Sequence, residues 1–584
     1  MTGAEPVNWD REVDLLVVGS GVGGMTAALV AAVEGAEVLL CEMTSRLGGT
    51  SALSGGAIWV PGSSQSARAG LTDTATDARR YLDAMIGEPD RGARREAFLE
   101  AGPIALDFLE HHTEVKFAPS PKHPDYRGNL PGAAISGRVL YPLPFDGRLL
   151  GKDFERLRPP MPEFMALGGM MVGKDDIPHL LHPFASVRSL RHTLALVSRY
   201  LWDRRRYSRG TRLLLGNALV GRLVYSLRQR QVPIWLGARV ESLVQRDGRV
   251  IGASVSLDGR TQSIRARRGV VLATGGFSGS PTWRRSLLAE PIPDHSVAFD
   301  GDSGDGLTLG TSAGGVIDTT HASAAFWMPA SVMRRADGSQ AVFPHIMLDR
   351  AKPGLLAVNS AGRRFVNEAD SYHDFVLGMY RSHADVNTIP AYLVCDRSFI
   401  HDYGIGLVRP GQRRLKRYVD NGYLITAATI PLLAQKIGID GDALMETVRR
   451  YNGFAESGID AEFGRGSTEL NRNNGDPDNL PNPCLRRIER APFFAVAVYP
   501  ADLGTSVGLA TDRDGRVLDR AGSPINGLYA CGNDMASVMR GHYPGPGITL
   551  GPAIAFAFRI ASRACDGKAM ELDALRAGRT KHEQ

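Results

Sequence analysis

One tyrosine near the carboxyl end of the chain sits in a setting that suits acid–base chemistry. The stretch from Cys531 to Ala553 reads CGNDMASVMRGHYPGPGITLGPA and combines a glycine-rich turn, a helix start and Tyr543. A phenol can give or take a proton, and its surroundings set how far its pKa departs from about 10. A second glycine-rich motif lies more than five hundred residues upstream. Two such remote motifs favour one cofactor domain interrupted by another, with Tyr543 as a candidate catalytic acid beside the cofactor.

The upstream motif follows an apolar run, Val13 to Val18, which predicts a buried parallel strand. The sequence GSGVGG comes next and leads into a helical pattern. In this order the first glycine permits a tight turn, the second admits a pyrophosphate, and the last lets helix and strand pack closely. The predicted cofactor residues of the turn are Gly19, Ser20, Gly21, Gly23 and Gly24. A second predicted strand ends at Glu42, whose carboxylate would bind ribose hydroxyls, with Met43 beside it.

A second loop of glycines and hydroxyls distinguishes between two kinds of dinucleotide cofactor. NAD has no need of such a loop after Glu42, whereas a flavin ring must lie against bare backbone that hydrogen-bonds its edge. The loop therefore indicates FAD, and its predicted cofactor residues are Gly48, Gly49, Thr50, Ser51, Ser54, Gly55 and Gly56. Because no histidine occurs between Met43 and Gly56, the FAD is predicted to be bound non-covalently.

Three later segments extend the predicted cofactor site. Residues 232–243 (VPIWLGARVESL) predict two strands near the adenine, and residues 270–276 (VVLATGG) predict a buried strand that ends in a turn of small residues. Residues 528–534 predict a strand, a glycine turn and an acid, and the helix that opens after Gly547 would turn its positive end to the flavin. The predicted cofactor residues of these segments are Val240, Ala273, Gly275, Gly532, Asn533, Asp534, Gly547 and Ile548.

These elements predict an α/β chain with a Rossmann-like domain interrupted by a smaller α+β domain. A chain of 584 residues is too long for one compact core. We place the cofactor domain at residues 1–285 and 486–584, and a catalytic domain that caps it at residues 286–485. An arginine-rich insert is expected at about residues 150–215.

Composition excludes several classes of protein. The net charge is +6, yet residues 186–212 alone carry eight arginines against one aspartate, a local +7, so the rest of the chain gives no nucleic-acid-binding surface. The five cysteines form no CxxC pair, which argues against a disulfide framework or a metal site. Neither a secretion signal nor a membrane-spanning run is recognised, and a cytoplasmic protein is expected.

Several motifs taken together resemble one family. They are GSGVGG, SRLGGTSALSGG at residues 45–56, ATGG, RRFVNE at residues 363–368, and YPGPGITLGPA at residues 543–553. This set is similar to the 3-ketosteroid Δ1-dehydrogenases, within a wider group of FAD enzymes that includes the fumarate reductase flavoproteins. The resemblance covers nearly the whole chain, and the YPGxG element is its most specific part. It implies an FAD domain with a smaller catalytic domain over it, and the removal of two hydrogens from the A-ring of a 3-oxosteroid.

The resemblance also implies roles for four residues. Tyr543 and the backbone N–H of Gly547 match the pair that holds the 3-keto oxygen, which gains negative charge as the adjacent carbon loses a proton. Tyr372 matches the base that removes the C2 proton, and Tyr126 matches a tyrosine that supports it by a hydrogen bond. Hydride would then pass from C1 to flavin N5. A quinone or another electron acceptor would reoxidise the flavin.

Three other functions stay open at this point. A Δ4-(5α)-dehydrogenase of 3-ketosteroids would share most of these motifs. A fumarate reductase-like flavoprotein would clamp its substrate with arginines, for which Arg364 and Arg540 are available. A flavin-binding membrane protein without catalysis would leave Tyr372 and Tyr543 idle.

The arginine-rich insert has two interpretations. Apolar residues fall on one helix face at steps of three and four; they are Val187, Leu190, Leu194, Val197 and Leu201. Either this face docks on the protein's own core and leaves a basic face in solvent, or residues 186–206 form a peripheral contact with an anionic membrane. A water-insoluble sterol substrate would give the second arrangement a purpose.

Overall fold

The computed structural model describes residues 8–87, 93–347 and 349–565. Residues 1–7, on which the prediction of no secretion signal partly depends, lie outside this part, as do residues 566–584 of the predicted FAD domain. Within the described ranges, no helix has both the length and the apolar character needed to cross a membrane.

In chain order, the strands β1 to β24 of the described residues are Arg11–Val18, Val38–Glu42, Ile58–Trp59, Phe117–Pro119, Val139–Pro142, Phe145–Asp146, Met165–Ala166, Met170–Met171, Arg212–Leu213, Ile234–Leu236, Arg239–Arg246, Arg249–Leu257, Arg260–Leu272, His295–Ser296, Ile317–Asp318, Ala325–Arg334, Gln340–Pro344, Leu355–Val358, Ala391–Asp396, Ile425–Ala427, Phe493–Thr505, Gly508–Leu509, Arg516–Leu518 and Pro524–Ala530.

The helices α1 to α17 of the same residues are Val22–Val33, Gly49–Leu53, Ser64–Arg68, Ala75–Ile86, Arg94–His112, Ile177–Leu181, Val187–Asp203, Leu215–Gln229, Pro281–Leu287, Asp305–Ser312, Tyr372–His383, Arg397–Asp402, Lys416–Asp420, Ile430–Ile437, Gly441–Ser457, Glu469–Asn474 and Leu550–Ala564.

The first sheet has the parallel core that the amino-terminal motif predicts. Strands β10, β2, β1, β13 and β24 lie side by side and run parallel. The inner strand β1 is apolar and buried from Leu15 to Val18 because helices cover the sheet, with α1 packed against α17. The α/β fold class is confirmed, and the strands predicted within residues 232–243 and 270–276 are present.

The second sheet lies mostly in the interrupting part of the chain. Its order is β17, β16, β21, β19 and β18, and these pairs are antiparallel. Strand β21 belongs to this sheet, so the boundary placed at residue 486 comes before the sheet is complete, and the chain rejoins the first sheet at β23 and β24. The division into two domains stays a prediction.

Candidate active site

A cleft is lined by residues of both sheets. The first sheet contributes the carboxyl ends of β1 and β2 and the glycine turn that follows β1. Residues from β16 and from the start of α11 line the other side. Ligand sites of open α/β sheets lie at the carboxyl ends of the strands, and this cleft occupies that position.

The glycine turn after β1 has the close contacts that its pattern predicts. Gly19 has a φ of +103°, and a Cβ there would lie 2.2 Å from the carbonyl oxygen of Ala273. A Cβ on Gly24 would lie 2.0 Å from the carbonyl oxygen of Gly19, so only glycine allows α1 to pack this closely on the strand. At Gly21 the nearest contact of a Cβ is the Ser51 hydroxyl at 3.7 Å, and this backbone is open to the cleft.

Glu42 is buried at the end of β2 and lines the cleft. Its carboxylate accepts hydrogen bonds from the backbone N–H of Ser20 at 3.1 Å, from the Ser20 hydroxyl at 2.5 Å and from the N–H of Thr44 at 2.9 Å. These donors hold the carboxylate at the position where the fingerprint predicts a ribose partner.

Most residues of the second glycine loop line the cleft. The hydroxyl of Ser51 accepts from the N–H of Val22 at 3.1 Å, which ties this loop to the start of α1. A Cβ added at Gly49, Gly55 or Gly532 would meet no atom within 4 Å, so the missing side chains leave space for a flat ring system. The donor set and this bare backbone fit FAD.

Most of the predicted cofactor residues line the cleft, and four do not. Those at the cleft wall are Gly19, Ser20, Gly21, Gly23, Glu42, Met43, Gly49, Thr50, Ser51, Ser54, Gly55, Gly56, Val240, Ala273, Gly275, Gly532, Asn533 and Gly547. Those behind the wall are Gly24, Gly48, Asp534 and Ile548. The fully buried Asp534 carboxylate accepts from the N–H groups of Thr274 at 2.5 Å and Gly276 at 2.9 Å. It therefore supports the small-residue turn after β13, and the contact with the ribityl chain or the pyrophosphate predicted for it gains no support.

Three tyrosines from distant parts of the chain meet at one end of the cleft. The hydroxyl of Tyr372 donates to the hydroxyl of Tyr543 at 2.9 Å. The ring of Tyr126 stacks on Tyr543 with centroids 5.6 Å apart and meets Tyr372 edge-on at 5.5 Å. All three side chains are buried and line the cleft. The family resemblance implied this grouping. The buried Tyr126 hydroxyl, however, has no hydrogen-bond partner among the described residues, so the predicted hydrogen bond from Tyr126 to Tyr372 is not formed here.

Backbone contacts help to fix the positions of the tyrosines. The N–H of Tyr126 donates to the carbonyl of Pro544 at 2.8 Å, directly after Tyr543, and Tyr372 is the first residue of α11. Gly547 has a φ of +93°, and its carbonyl accepts from the N–H of Trp59 at 3.1 Å. No acceptor for the Gly547 N–H occurs among the described residues, which suits a donor kept for a ligand oxygen.

Burial opposes ionisation of these phenols. Removal from water raises the pKa of Tyr126, Tyr372 and Tyr543 well above the usual 10. A neutral Tyr543 is a suitable donor to a ligand oxygen at all ordinary pH values. Tyr372 can serve as a base only if another group stabilises its anion.

The structure adds cleft residues that the sequence analysis did not select. They are His123, Tyr141, Met161, Val297, Phe299, Asp302, Met328, Pro344, Ile346, Met347 and Leu503. Isolated apolar side chains such as Met328 carry no spacing signal, because their neighbours in the cleft come from other segments. A signal did exist for Phe299 and Asp302, since FDGDSGDG at residues 299–306 is another glycine-rich acidic loop. The Asp302 carboxylate accepts from the Thr50 hydroxyl at 2.6 Å.

Comparison with protein families decides the cofactor. A family described as FAD binding domain matches residues 14–550, which cover both sheets and the cleft. The chain belongs to this family. This flavoprotein therefore uses FAD, as the second glycine loop predicted.

Characterised relatives extend over almost the full chain. This flavoprotein is 37% identical to a 4-oxocyclohex-2-ene-1-carboxylate 5-dehydrogenase of Sinomonas cyclohexanicum, over 94% of this chain and 92% of that protein. It is 36% identical to a 3-oxosteroid 1-dehydrogenase of Mycolicibacterium smegmatis, over 94% of this chain and 97% of that protein. The crystal structure of 3-ketosteroid delta1-dehydrogenase from Sterolibacterium denitrificans, in complex with 1,4-androstadiene-3,17-dione, matches with a TM-score of 0.88 and 35% identity, over 95% of this chain and all of that one. The family resemblance predicted from the motifs is confirmed.

Glu42 provides a test of the cofactor site in this flavoprotein. Glu42→Gln keeps the side-chain shape but removes the charge and one acceptor, leaving a buried N–H unpaired. Hydrogen bonds to charged groups contribute about 1.5–3 kcal/mol, so FAD affinity is expected to fall about tenfold or more. Titration of the apoprotein with FAD, followed by flavin fluorescence, measures the change. Glu12→Gln on the exposed end of β1 is the control, and equal affinities of the two variants would contradict the ribose contact.

Proposed function

We propose that this flavoprotein removes two hydrogens from C1 and C2 of the A-ring of 3-oxosteroids. The observation that carries the proposal is the buried pair of Tyr372 and Tyr543, hydrogen-bonded at 2.9 Å, beside the unpaired N–H of Gly547. This arrangement offers two donors, the Tyr543 hydroxyl and the Gly547 N–H, to one oxygen, and a second phenol, that of Tyr372, beside them. A ring ketone and its adjacent carbon fit that geometry.

The residues of this chain would act on the ketone side of the reaction. A 3-keto oxygen would replace Tyr372 as the partner of Tyr543 and would also accept from the Gly547 N–H. Both donors favour the negative charge that gathers on this oxygen as C2 loses its proton to the Tyr372 oxygen. When bound, FAD supplies the acceptor for the hydride that leaves C1. Tyr126, stacked on Tyr543, would hold that ring in place.

The charge of the cleft supports a neutral substrate. Among the described lining residues, Arg239 is the one arginine or lysine, and it forms an ion pair with Asp305 at 2.9 Å. Burial lowers the pKa of His123 to about 4, so this lining residue carries no charge near pH 7. Methionine and aliphatic side chains line the same cleft as the tyrosines, and they suit a large apolar ring system.

A fumarate-type reaction receives no support from the arginines that were available for it. Arg364 is bound to the carboxylates of Glu368 and Asp460, both at 2.8 Å. The Arg540 side chain donates to the carbonyl of Thr320 at 2.6 Å. Neither arginine lines the cleft.

Anaerobic mixing with androst-4-ene-3,17-dione tests the proposal. We expect the flavin absorbance to bleach with formation of the 1,4-diene. A separate run with a 5α-reduced 3-ketosteroid tests the Δ4 alternative, for which the product would be the 4-ene. Absence of bleaching with both steroids would remove the steroid assignment.

A smaller substrate is the second candidate, because the Sinomonas cyclohexanicum relative named for a 4-oxocyclohexene carboxylate is 37% identical. The same tyrosines could hold its ring ketone, but its carboxylate would meet no unpaired cation on the described cleft wall. Mixing with 4-oxocyclohex-2-ene-1-carboxylate is expected to reduce the flavin at least tenfold more slowly than the steroid, given the cost of leaving a buried charge unpaired. If the carboxylate reduces the flavin faster than the steroid does, the smaller substrate becomes the first candidate.

We further propose that the arginine-rich insert binds an anionic membrane surface. The burial of helix α7 is the reverse of that in an ordinary amphipathic helix. Its buried residues are Ser189, Tyr200 and Asp203. Its apolar stripe faces solvent, with Val187 85% and Leu194 59% exposed. The stripe is therefore not docked on the protein's own core. Helices that lie in a membrane interface combine such an apolar face with basic residues.

The basic residues of the insert divide into two groups. Arg199, Arg209 and Arg212 are bound internally, to Asp146, Asn217 and Asp176. The exposed arginines are Arg188, Arg191, Arg204, Arg205 and Arg206. A basic segment of the other part of the chain, residues 409–417, lies beside the insert, since the Arg409 side chain donates to the carbonyl of Met165 at 3.5 Å. Positive charge on α7 and on this neighbouring segment supports binding to anionic lipid.

Vesicle sedimentation tests the membrane contact. Leu194→Ser with Leu201→Ser removes two exposed leucines of the stripe, and binding to vesicles of phosphatidylglycerol and phosphatidylcholine is expected to fall at least tenfold, since each buried CH₂ contributes about 0.8 kcal/mol. Leu432→Ser with Met445→Ser, two exposed residues elsewhere, is the matched control. Binding that is unaffected by the first pair, or equal on uncharged vesicles, would contradict the proposal.

A further inference from the structure

Arg350 is completely buried, and its guanidinium is bound by backbone carbonyls. It donates to the carbonyl of His345 at 2.9 Å and to that of Glu368 at 2.6 Å. Weaker bonds reach the carbonyl of Asp370 at 3.3 and 3.4 Å, and a short one reaches Ile346. One side chain thus joins two segments that are about twenty residues apart in sequence.

Both segments border the tyrosine end of the cleft. The first contains Pro344, Ile346 and Met347, which line the cleft wall. The second ends at Asp370, two residues before Tyr372, where the Ser371 side chain caps α11. Arg350 therefore links the segment that carries this apolar wall to the segment that leads into Tyr372.

The charge of Arg350 has no carboxylate partner within 4 Å among the described residues. The nearby Asp349 carboxylate is bound to His345 at 2.6 Å, and burial raises the pKa of Asp370 to about 6. Buried cations are almost always paired, because removing a charge from water is costly. The carboxylates of Asp349, Asp370 and Glu368 act on Arg350 from beyond contact distance, so its charge also favours a negative charge that forms nearby.

The other titratable groups around the tyrosines are neutral or already paired. Burial lowers the pKa of His123 and of His373 to about 4. Asp374 forms an ion pair with Arg127 at 2.5 Å, and Asp125 forms one with Arg138 at 2.6 Å. Tyr141, on the cleft wall, has a raised pKa because of its burial. Arg350 is also among the groups that lower the pKa of Tyr126, against the larger effect of burial.

We propose that Arg350 is a positioning residue that fixes Tyr372 against the substrate wall and provides the buried positive charge that stabilises the tyrosine cluster in its anionic form. The inference rests on the proposed function, in which Tyr372 acts as the base. It explains how a phenol enclosed by protein can lose its proton near neutral pH, although burial alone opposes this.

The test compares the pH dependence of flavin reduction in three variants of the holoenzyme. Arg350→Gln removes the charge, and Arg350→Lys keeps the charge while losing most of the carbonyl contacts. Arg222→Gln is the matched control, because Arg222 is also buried and donates to three backbone carbonyls, those of Leu143, Glu114 and Pro144, away from the cleft. Melting temperature and FAD content report structural damage in each variant.

In Arg350→Gln we expect the apparent pKa of the reduction rate to rise by about one unit, which lowers the rate at pH 7 about tenfold. Arg350→Lys should shift the profile by less than about half as much, and Arg222→Gln should leave it in place. If the reduction rate of Arg350→Gln is lowered by the same factor at every pH and its apparent pKa does not change, the electrostatic role is overturned.

A second measurement keeps this inference separate from the proposed function. Tyrosine ionisation can be titrated by ultraviolet absorbance, and the difference between wild type and Tyr372→Phe reports the cluster without any substrate. The midpoint of that difference is expected to rise in Arg350→Gln. An unchanged midpoint would overturn the inference even if the steroid reacts, and a raised midpoint would support it even if the steroid does not.

Discussion

Replacing Tyr372 by phenylalanine is expected to lower the rate of flavin reduction by about 10²- to 10⁴-fold, the usual contribution of a positioned general base. The phenyl ring keeps the edge contacts with Tyr126 and Tyr543, whose centroids lie 5.5 and 5.1 Å from it. The substitution therefore removes one oxygen from a packed cluster and leaves the ring in place. Because no other described group lies at that position as a base, the loss is expected at every pH.

Stopped-flow reduction under anaerobic conditions measures this loss, with FAD content determined from the visible spectrum. Tyr380→Phe is the control, because Tyr380 lies on the same helix, and its hydroxyl bonds to the carbonyl of Pro291 outside the cleft. The control should react at nearly the wild-type rate. Retention of even a tenth of the wild-type rate by Tyr372→Phe would remove Tyr372 as the base.

Gly547→Ala is expected to lower the rate of flavin reduction about 10²- to 10³-fold, which is the usual effect of removing one donor from an oxyanion hole. The backbone at this position has a φ of +93°, and an added Cβ would lie 2.5 Å from the carbonyl oxygen of Ala57 and 2.6 Å from a backbone carbon of Ile58. These are backbone atoms and cannot rotate away. The turn would have to move, which would carry the Gly547 N–H away from the ketone and break its carbonyl contact with Trp59.

Gly35→Ala is the control that separates the effect of this steric clash from the effect of backbone strain. Gly35 has a similar φ of +85°, but a Cβ there meets nothing within 4 Å, so the control carries only the strain of about 1–2 kcal/mol. Its reaction rate should stay at the wild-type value. If Gly547→Ala also reacts within about threefold of wild type with normal FAD content, the Gly547 N–H does not bind the ketone oxygen.

Local sequence patterns selected residues of which most line the cleft. The turn at Gly19 to Gly24 and the acid at Glu42 lie within one strand–turn–helix–strand unit, so short-range geometry dictates their positions. The same reasoning selected Asp534 as a cofactor ligand, whereas its carboxylate is bound by the backbone of Thr274 and Gly276. A glycine turn followed by an acid does not reveal which way the carboxylate points.

The sequence by itself determined the α/β fold, the FAD cofactor and the family, because each depends on contiguous motifs whose spacing reflects local backbone geometry. The family resemblance implied that Tyr126, Tyr372 and Tyr543 share one site, but only the tertiary structure gave their contacts, placed Arg350 behind them, and turned the apolar face of α7 to solvent. The physical reason is that burial, charge pairing and contact between remote segments belong to the packed chain as a whole. No spacing along the sequence encodes which carbonyls an arginine will meet or which helix face will remain exposed.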